Sequence, residues 1–146
     1  MTDHNEREAA CACGQLRIRT IGAPRVVSSC HCLACQRRTG SLFGASAFFA
    51  REQVVATEGE RSTFRRQGDS GAWLAFQFCP KCGSTVFWEN ERLPDIVSVA
   101  VGAFADPTFP APERTVWTRS GHRWLAFPEG MPSHPEGPAS LVPKHK

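Results

Sequence analysis

The chain has 146 residues, 41% of them hydrophobic and including 10 Phe and 4 Trp, enough to furnish the core of one ordinary domain. Its net charge of +3 comes from 17 basic and 14 acidic residues, and the longest basic runs are the pairs Arg37-Arg38 and Arg65-Arg66, which argues against a nucleic-acid partner. No apolar stretch approaches the roughly 18–20 residues of a membrane span, and the charged start Met1 to Glu8 lacks the apolar centre of a secretory signal, so a cytoplasmic protein without a membrane partner is expected.

Taken in chain order, residues 1–9 are polar and read as a flexible N-terminus, with the folded domain expected over 10–127. Leu16 to Ile18 alternates apolar and polar, and Arg25 to Cys30 is β-branched and extended. A short helix is expected from about Cys32 to Thr39, stopped by Gly40. Ala45 to Ala50, Gln53 to Ala56 and Ser62 to Arg66 are strand candidates. Ala72 to Phe78 and Ser84 to Trp88 flank a cysteine doublet and should pair as a hairpin, and Asp95 to Val101 and Thr115 to Thr118 complete the set. Short strands at this spacing, bounded by Gly, Pro and Asp, indicate a mainly β fold: a sandwich or a folded sheet. From Pro128 to Lys146 five prolines deny helix or central strand, so this stretch reads as a Pro/Gly-rich tail draped on or off the domain.

The seven cysteines carry the chemistry. They fall into three tight groups: Cys11-x-Cys13, Cys30-x-Cys32-x-x-Cys35 and Cys79-x-x-Cys82. An odd count without a secretory signal argues for metal or catalysis over a disulfide framework. Cys79-Pro-Lys-Cys82-Gly83 is a zinc knuckle, in which a turn brings two sulfurs to one side and the glycine permits the backbone conformation that aims N–H groups at them. A knuckle supplies two ligands and needs another pair. Residues i and i+2 of an extended segment face the same way about 6.6 Å apart at Cα, and tetrahedral zinc asks for sulfurs about 3.8 Å apart, which side-chain torsion reaches. Cys11 and Cys13 with Cys79 and Cys82 would thus make a closed four-thiolate site.

Cys30, Cys32 and Cys35 can reach one ion from a six-residue segment, because Cys30 and Cys32 share a strand face and a helical turn swings Cys35 back. Three protein ligands and an open position mark a zinc site that does chemistry. Three thiolates give the ion a net charge near −1, which favours holding a substrate thiol over generating hydroxide. His31 should point to the opposite face and pack there. His4, His122, His134 and His145 read as solvated residues. A rival pairing joins Cys32-x-x-Cys35 to Cys79-x-x-Cys82 as a zinc ribbon, although the 43 residues between the doublets (36 to 78) exceed usual ribbon spacing. Arg37 and Arg38 are candidate donors to substrate carboxylates. Thr39 and Ser41 lie just past the cluster, where small hydroxyls commonly close a helix end.

Three motifs in order, Cys11-Ala-Cys13-Gly14, Ser29-Cys-His-Cys-Leu-Ala-Cys-Gln-Arg-Arg-Thr-Gly-Ser41 and Phe78-Cys-Pro-Lys-Cys-Gly-Ser84, resemble the glutathione-dependent formaldehyde-activating enzyme family, whose domain is shared with centromere protein V. The resemblance runs from about Cys11 to about Trp124. It implies the β-tent fold of coiled antiparallel sheets with a zinc knuckle and one short helix. It implies two zinc ions per chain, a structural one on Cys11, Cys13, Cys79 and Cys82 and a catalytic one on Cys30, Cys32 and Cys35. It implies a carbon–sulfur lyase that forms and cleaves S-hydroxymethylglutathione, with glutathione or its aldehyde adduct as the small-molecule partner. The alternative the same family suggests is a non-catalytic zinc-binding interaction module.

Overall fold

In the computed structural model the described residues are 6–137, and ten short strands, one α-helix and three 3-10 turns occupy them. The chain divides into two compact units, residues 1–25 with 47–109 and residues 26–46 with 110–146.

The first unit holds β1 (Arg7–Ala10), β2 (Arg17–Thr20), β5 (Val54–Glu58), β6 (Ser62–Gln67), β7 (Trp73–Phe78), β8 (Thr85–Asn90) and β9 (Ile96–Ala100). Strands β1, β2 and β5 form a three-stranded sheet, antiparallel throughout. In β2 the predicted alternation holds: Ile18 and Thr20 are buried while Arg17 and Arg19 keep their heads toward water in ion pairs with Glu58 and Glu6. A second sheet runs β9-β8-β7-β6, again antiparallel where the register is given. Strands β8 and β9 carry near-continuous buried runs, Val86-Phe87-Trp88 and Ile96 to Val99, as central strands covered on both faces must. At the edge, β6 is polar, with Arg65 and Arg66 laid over Trp73 and Phe76, which blunts the open edge against further pairing. Phe49, Phe104 and Phe109 pack ring to ring, and these rings together with the fully buried Leu16, Val86 and Val99 belong to the core.

The second unit holds β3 (Val26–Cys30), α1 (Leu33–Thr39) and β10 (Arg114–Val116). Strand β4 (Gly44–Ala50) begins here, next to β3, and its later residues 47–50 belong to the first unit. The helix matches the expected span: Cys32 caps its start and Gly40, in the left-handed conformation at φ 69°, caps its end. Strand β10 lies parallel to β3, whereas the other strand pairs whose register is given are antiparallel. A buried Ser29–Thr115 hydroxyl bond of 2.8 Å ties the two strands.

Two terminal stretches differ from the sequence reading. Residues 7–9, assigned there to the loose N-terminus, belong to β1, because pairing with β2 satisfies their backbone and buries Ala9 completely. The described part of the tail, to Gly137, lies along β10: Thr115 N–H donates to the Pro132 carbonyl, His134 N–H to that of Thr115 and Thr118 N–H to that of His134. Positions 1–5 and the later tail residues Pro138 to Lys146 lie outside the described residues. No helix among the described residues is long and apolar enough to cross a membrane.

Candidate metal centres

Two hairpins deliver the first set of thiols. Cys11 and Cys13 occupy the β1–β2 connection and Cys79 and Cys82 the β7–β8 connection, and each connection closes on a glycine at φ 83°, Gly14 and Gly83. A side chain at either position would be strained, and both glycines turn their N–H back onto the first cysteine's carbonyl, Gly14 to Cys11 at 2.9 Å and Gly83 to Cys79 at 2.8 Å. A bulge between Gln77 and Phe78 precedes the knuckle and re-aims the strand end that carries Cys79. All four sulfurs lie within 4.8 Å of one another. The Cys11–Cys13 and Cys13–Cys79 separations of 3.6 and 3.7 Å fall near the roughly 3.8 Å that tetrahedral zinc requires.

Donors surround these sulfurs. The Gln15 side-chain amide donates to Cys79 at 3.0 Å, Lys81 N–H donates to the same sulfur and Leu16 N–H to Cys11 at 3.3 Å each. Gln15 also grips Glu60 through that residue's N–H and carbonyl, which fixes the amide that reaches Cys79. These contacts set the thiols apart electrostatically. Burial would raise Cys79, but the Gln15 amide and the N–H groups of Cys82 and Lys81 outweigh it and lower the thiol. Cys82 is held down to about 5, chiefly by Ser84. Cys13 is pushed up to about 11: the Gln15 N–H lowers it, but Cys11, desolvation, Cys79 and Cys82 together raise it. Four thiols so packed and so supplied with N–H donors suit a soft divalent ion.

The second set forms within one short segment. Cys30 ends β3, Cys32 is the N-cap of α1 with its sulfur accepting from Cys35 N–H at 3.3 Å, and Cys35 sits in the first turn. The three sulfurs lie within 4.8 Å of one another, each side chain is half-buried, and no fourth His, Cys, Asp or Glu joins them among the described residues. Cys30 is raised well above the ordinary thiol range by Cys32, Cys35 and burial. In Cys35 a hydrogen bond from Cys30 acts downward, yet Cys32 and burial carry the thiol up, with the Arg38 guanidinium opposing. Here too the donors fit a thiophilic cation, and they offer it one ligand fewer than a tetrahedron needs.

The fold therefore groups the cysteines as 11, 13, 79 and 82 and as 30, 32 and 35, each group inside one unit; the ribbon pairing is not the grouping it makes. His31 is outside both groups. Its ring is 1% exposed, seated between Phe43 and Phe127 with centroids 5.2 and 4.9 Å away and covered by Gly121. Burial lowers its pKa, against the pull of Cys32 and with His122 acting the same way as burial. Thr39 closes the helix, donating to the Cys35 carbonyl and accepting from Ser41 N–H. The two arginines part company: Arg37 is exposed, whereas Arg38 folds back over Gly44 to the side of Cys35.

Three neighbours escaped the sequence reading. Gln15 supports Cys79, Gln36 bonds the His31 and Ser120 carbonyls at 2.9 and 3.0 Å, and His122, read as solvated, meets Gln36 Oε1 at 3.2 Å. Nothing local marks them; their partners are mostly distant in the chain. The turn that carries Ser120 starts at Trp117, held at φ 59°, a conformation rare for a bulky residue, and packed under Gly137.

The model of the glutathione-dependent formaldehyde-activating enzyme family matches residues 6–120, a span that includes all seven cysteines. A crystal structure of a Rhodobacter sphaeroides protein is similar in fold, with a TM-score of 0.52 at 19% identity, covering 68% of this chain and 91% of that one. No curated protein matches the chain.

Proposed function

Because this chain belongs to the glutathione-dependent formaldehyde-activating enzyme family, we propose that it is a zinc-dependent carbon–sulfur lyase forming and cleaving glutathione–aldehyde adducts of the S-hydroxymethylglutathione type. The observation that carries this reading is the half-buried trio Cys30, Cys32 and Cys35, gathered within 4.8 Å with three ligand atoms to offer. A purely structural site has no use for an open corner. Zinc on these three residues supplies Lewis acidity toward a substrate thiol, whose ordinary pKa of about 8.5 would otherwise keep it protonated at neutral pH. Cys11, Cys13, Cys79 and Cys82 take the structural zinc.

The chain's own residues do the remaining work. The hydrogen bond from Cys35 N–H orients the Cys32 sulfur, and the pinned His31 backbone, with its N–H on the Val116 carbonyl and its carbonyl on Gln36, holds the Cys30–Cys32 stretch in place. Arg38, whose charge acts on Cys35, is the first candidate donor to a glutathione carboxylate, and exposed Arg37 is a second. Arg38→Gln should raise KM for glutathione about fivefold with little change in kcat, the cost of one partly exposed ion pair made equally in ground and transition states. An unchanged KM would remove Arg38 from the substrate site.

The purified chain should contain two zinc ions, measured by elemental analysis after gel filtration; a single ion would defeat the two-site arrangement. Exchange spectroscopy of formaldehyde with glutathione tests the reaction itself. Faster adduct turnover with the protein present is the expected result. Bound glutathione with unaccelerated exchange would instead favour a non-catalytic zinc-binding module.

A further inference from the structure

Gln36 decides the chemistry of His122. Its amide nitrogen lies 2.9 Å from the His31 carbonyl and 3.0 Å from the Ser120 carbonyl. Turning the amide over would set two oxygens against a third, so both N–H groups are committed to those carbonyls and Oε1 is left to face His122. An amide oxygen only accepts. The contact of 3.2 Å to His122 Nε2 must therefore be a donation from His122. The neutral imidazole is held as its Nε2–H form, and Nδ1 keeps a free lone pair.

Gln36 ties this ring to the segment that carries the thiol cluster. Gln36 follows Cys35 in α1, and the carbonyl it grips belongs to His31, between Cys30 and Cys32. His122 is itself exposed, flanked edge-on by Trp124 at 6.2 Å, and so open to a bound molecule. Both residues lie beyond the segment that the family model matches, residues 6–120.

We propose that Gln36 positions His122 as the proton carrier of the adduct reaction, Nδ1 taking the proton from the substrate thiol and returning it to the aldehyde oxygen. The inference rests on the lyase reading above. In the forward direction the S–H proton passes to Nδ1, the sulfur forms a bond to the carbonyl carbon, the C=O π pair moves onto oxygen, and that oxygen takes the proton from Nδ1. The thiol and the aldehyde become the hydroxyalkyl thioether with nothing left over, and no oxidant or reductant enters. Cleavage runs the same steps backward, with Nδ1 accepting from the hydroxyl.

The test uses zinc-loaded full-length protein and three variants: His122→Gln, Gln36→Leu and the double change. Histidine 15N–1H correlation spectra should show His122 only as the Nε2–H form in the unaltered chain and as a mixture of forms in Gln36→Leu. In formaldehyde–glutathione exchange, His122→Gln should lower the turnover rate about 100-fold, the low end for a positioned acid–base group, with the glutathione Kd by calorimetry within twofold. Gln36→Leu should lower the same rate constant, and the double variant should lose no more than His122→Gln alone. An Nδ1–H form in the unaltered chain, or a His122→Gln variant that keeps full turnover or loses only glutathione affinity, overturns the assignment. If the unaltered protein itself fails to accelerate exchange, the lyase reading falls first, while the tautomer spectra still report separately on the Gln36 lock.

Discussion

Cys79→Ser should leave the chain largely unfolded at 25 °C, without a cooperative thermal transition and with its zinc content reduced. Structural zinc contributes about 10–16 kcal/mol of apparent binding free energy, against a net stability of about 5–15 kcal/mol for an ordinary domain. The four-thiol cluster also ties together residues far apart in the chain: Cys13 and Cys79 are 66 positions apart. A metal clip across so long a loop removes much freedom from the unfolded chain. Burial alone makes a distinguishable forecast. Cys79 is fully buried and Cys82 exposed, so without a metal role Cys82→Ser would fall within about 0.5 kcal/mol of the unaltered chain, as surface changes do. Metal ligation makes the two substitutions comparably damaging. Far-UV circular dichroism melts of both variants, read beside an excess-chelator melt of the unaltered chain, settle the matter; a Cys82→Ser protein with an unaltered melt would refute the four-thiolate site.

Cys35→Ser should do the opposite: keep the fold, drop zinc from two ions to one, and cut formaldehyde–glutathione exchange about 100-fold or more. Residues that merely orient a metal ligand cost about 10–100-fold when changed, and a ligand should cost at least as much. Stability should hold because Cys30, Cys32 and Cys35 lie in one six-residue segment whose closure constrains little chain. The helix keeps its own ends, with Cys32 at one and Gly40 at the other. A Cys35→Ser chain that unfolds as Cys79→Ser does would erase the distinction between a structural and a working site. Thermal melts run beside zinc analysis and exchange rates give the three readings together.

What could be read in advance was local. The alternation through Ile18 marked β2, Ser84 to Trp88 and Asp95 to Val101 were legible as strands, and the knuckle sat in the β7–β8 hairpin expected to flank it. The helix from Leu33 to Thr39 with a glycine stop followed from a few adjacent residues. His31 facing away from its neighbouring thiols followed from the alternation of an extended segment. Each of these depends on backbone angles and ligand spacing within about ten residues, where sequence and geometry are nearly the same statement.

By itself, then, the sequence determined the mainly β class, the short capped helix and three cysteine groups suited to metal. Tertiary structure alone decided the rest. Strand β1 carries Arg-Glu-Ala-Ala, with no strand preference of its own, and exists through its pairing with β2. Strand β10 chose a parallel partner in β3, and its Thr115 reaches Ser29 across 86 positions. The four-thiol site needed two hairpins brought together, which is what separated it from the ribbon alternative. Arg38 and Arg37, adjacent in sequence, were divided by the turn of a helix toward and away from Cys35. His122 met Gln36 across another 86 positions, a contact no local pattern announced. Contacts at such separations are set by where the chain's path returns, and that path follows from burying Phe49, Ile96 and Val99 and satisfying the backbone of every strand at once, a balance summed over the whole molecule that no short motif carries.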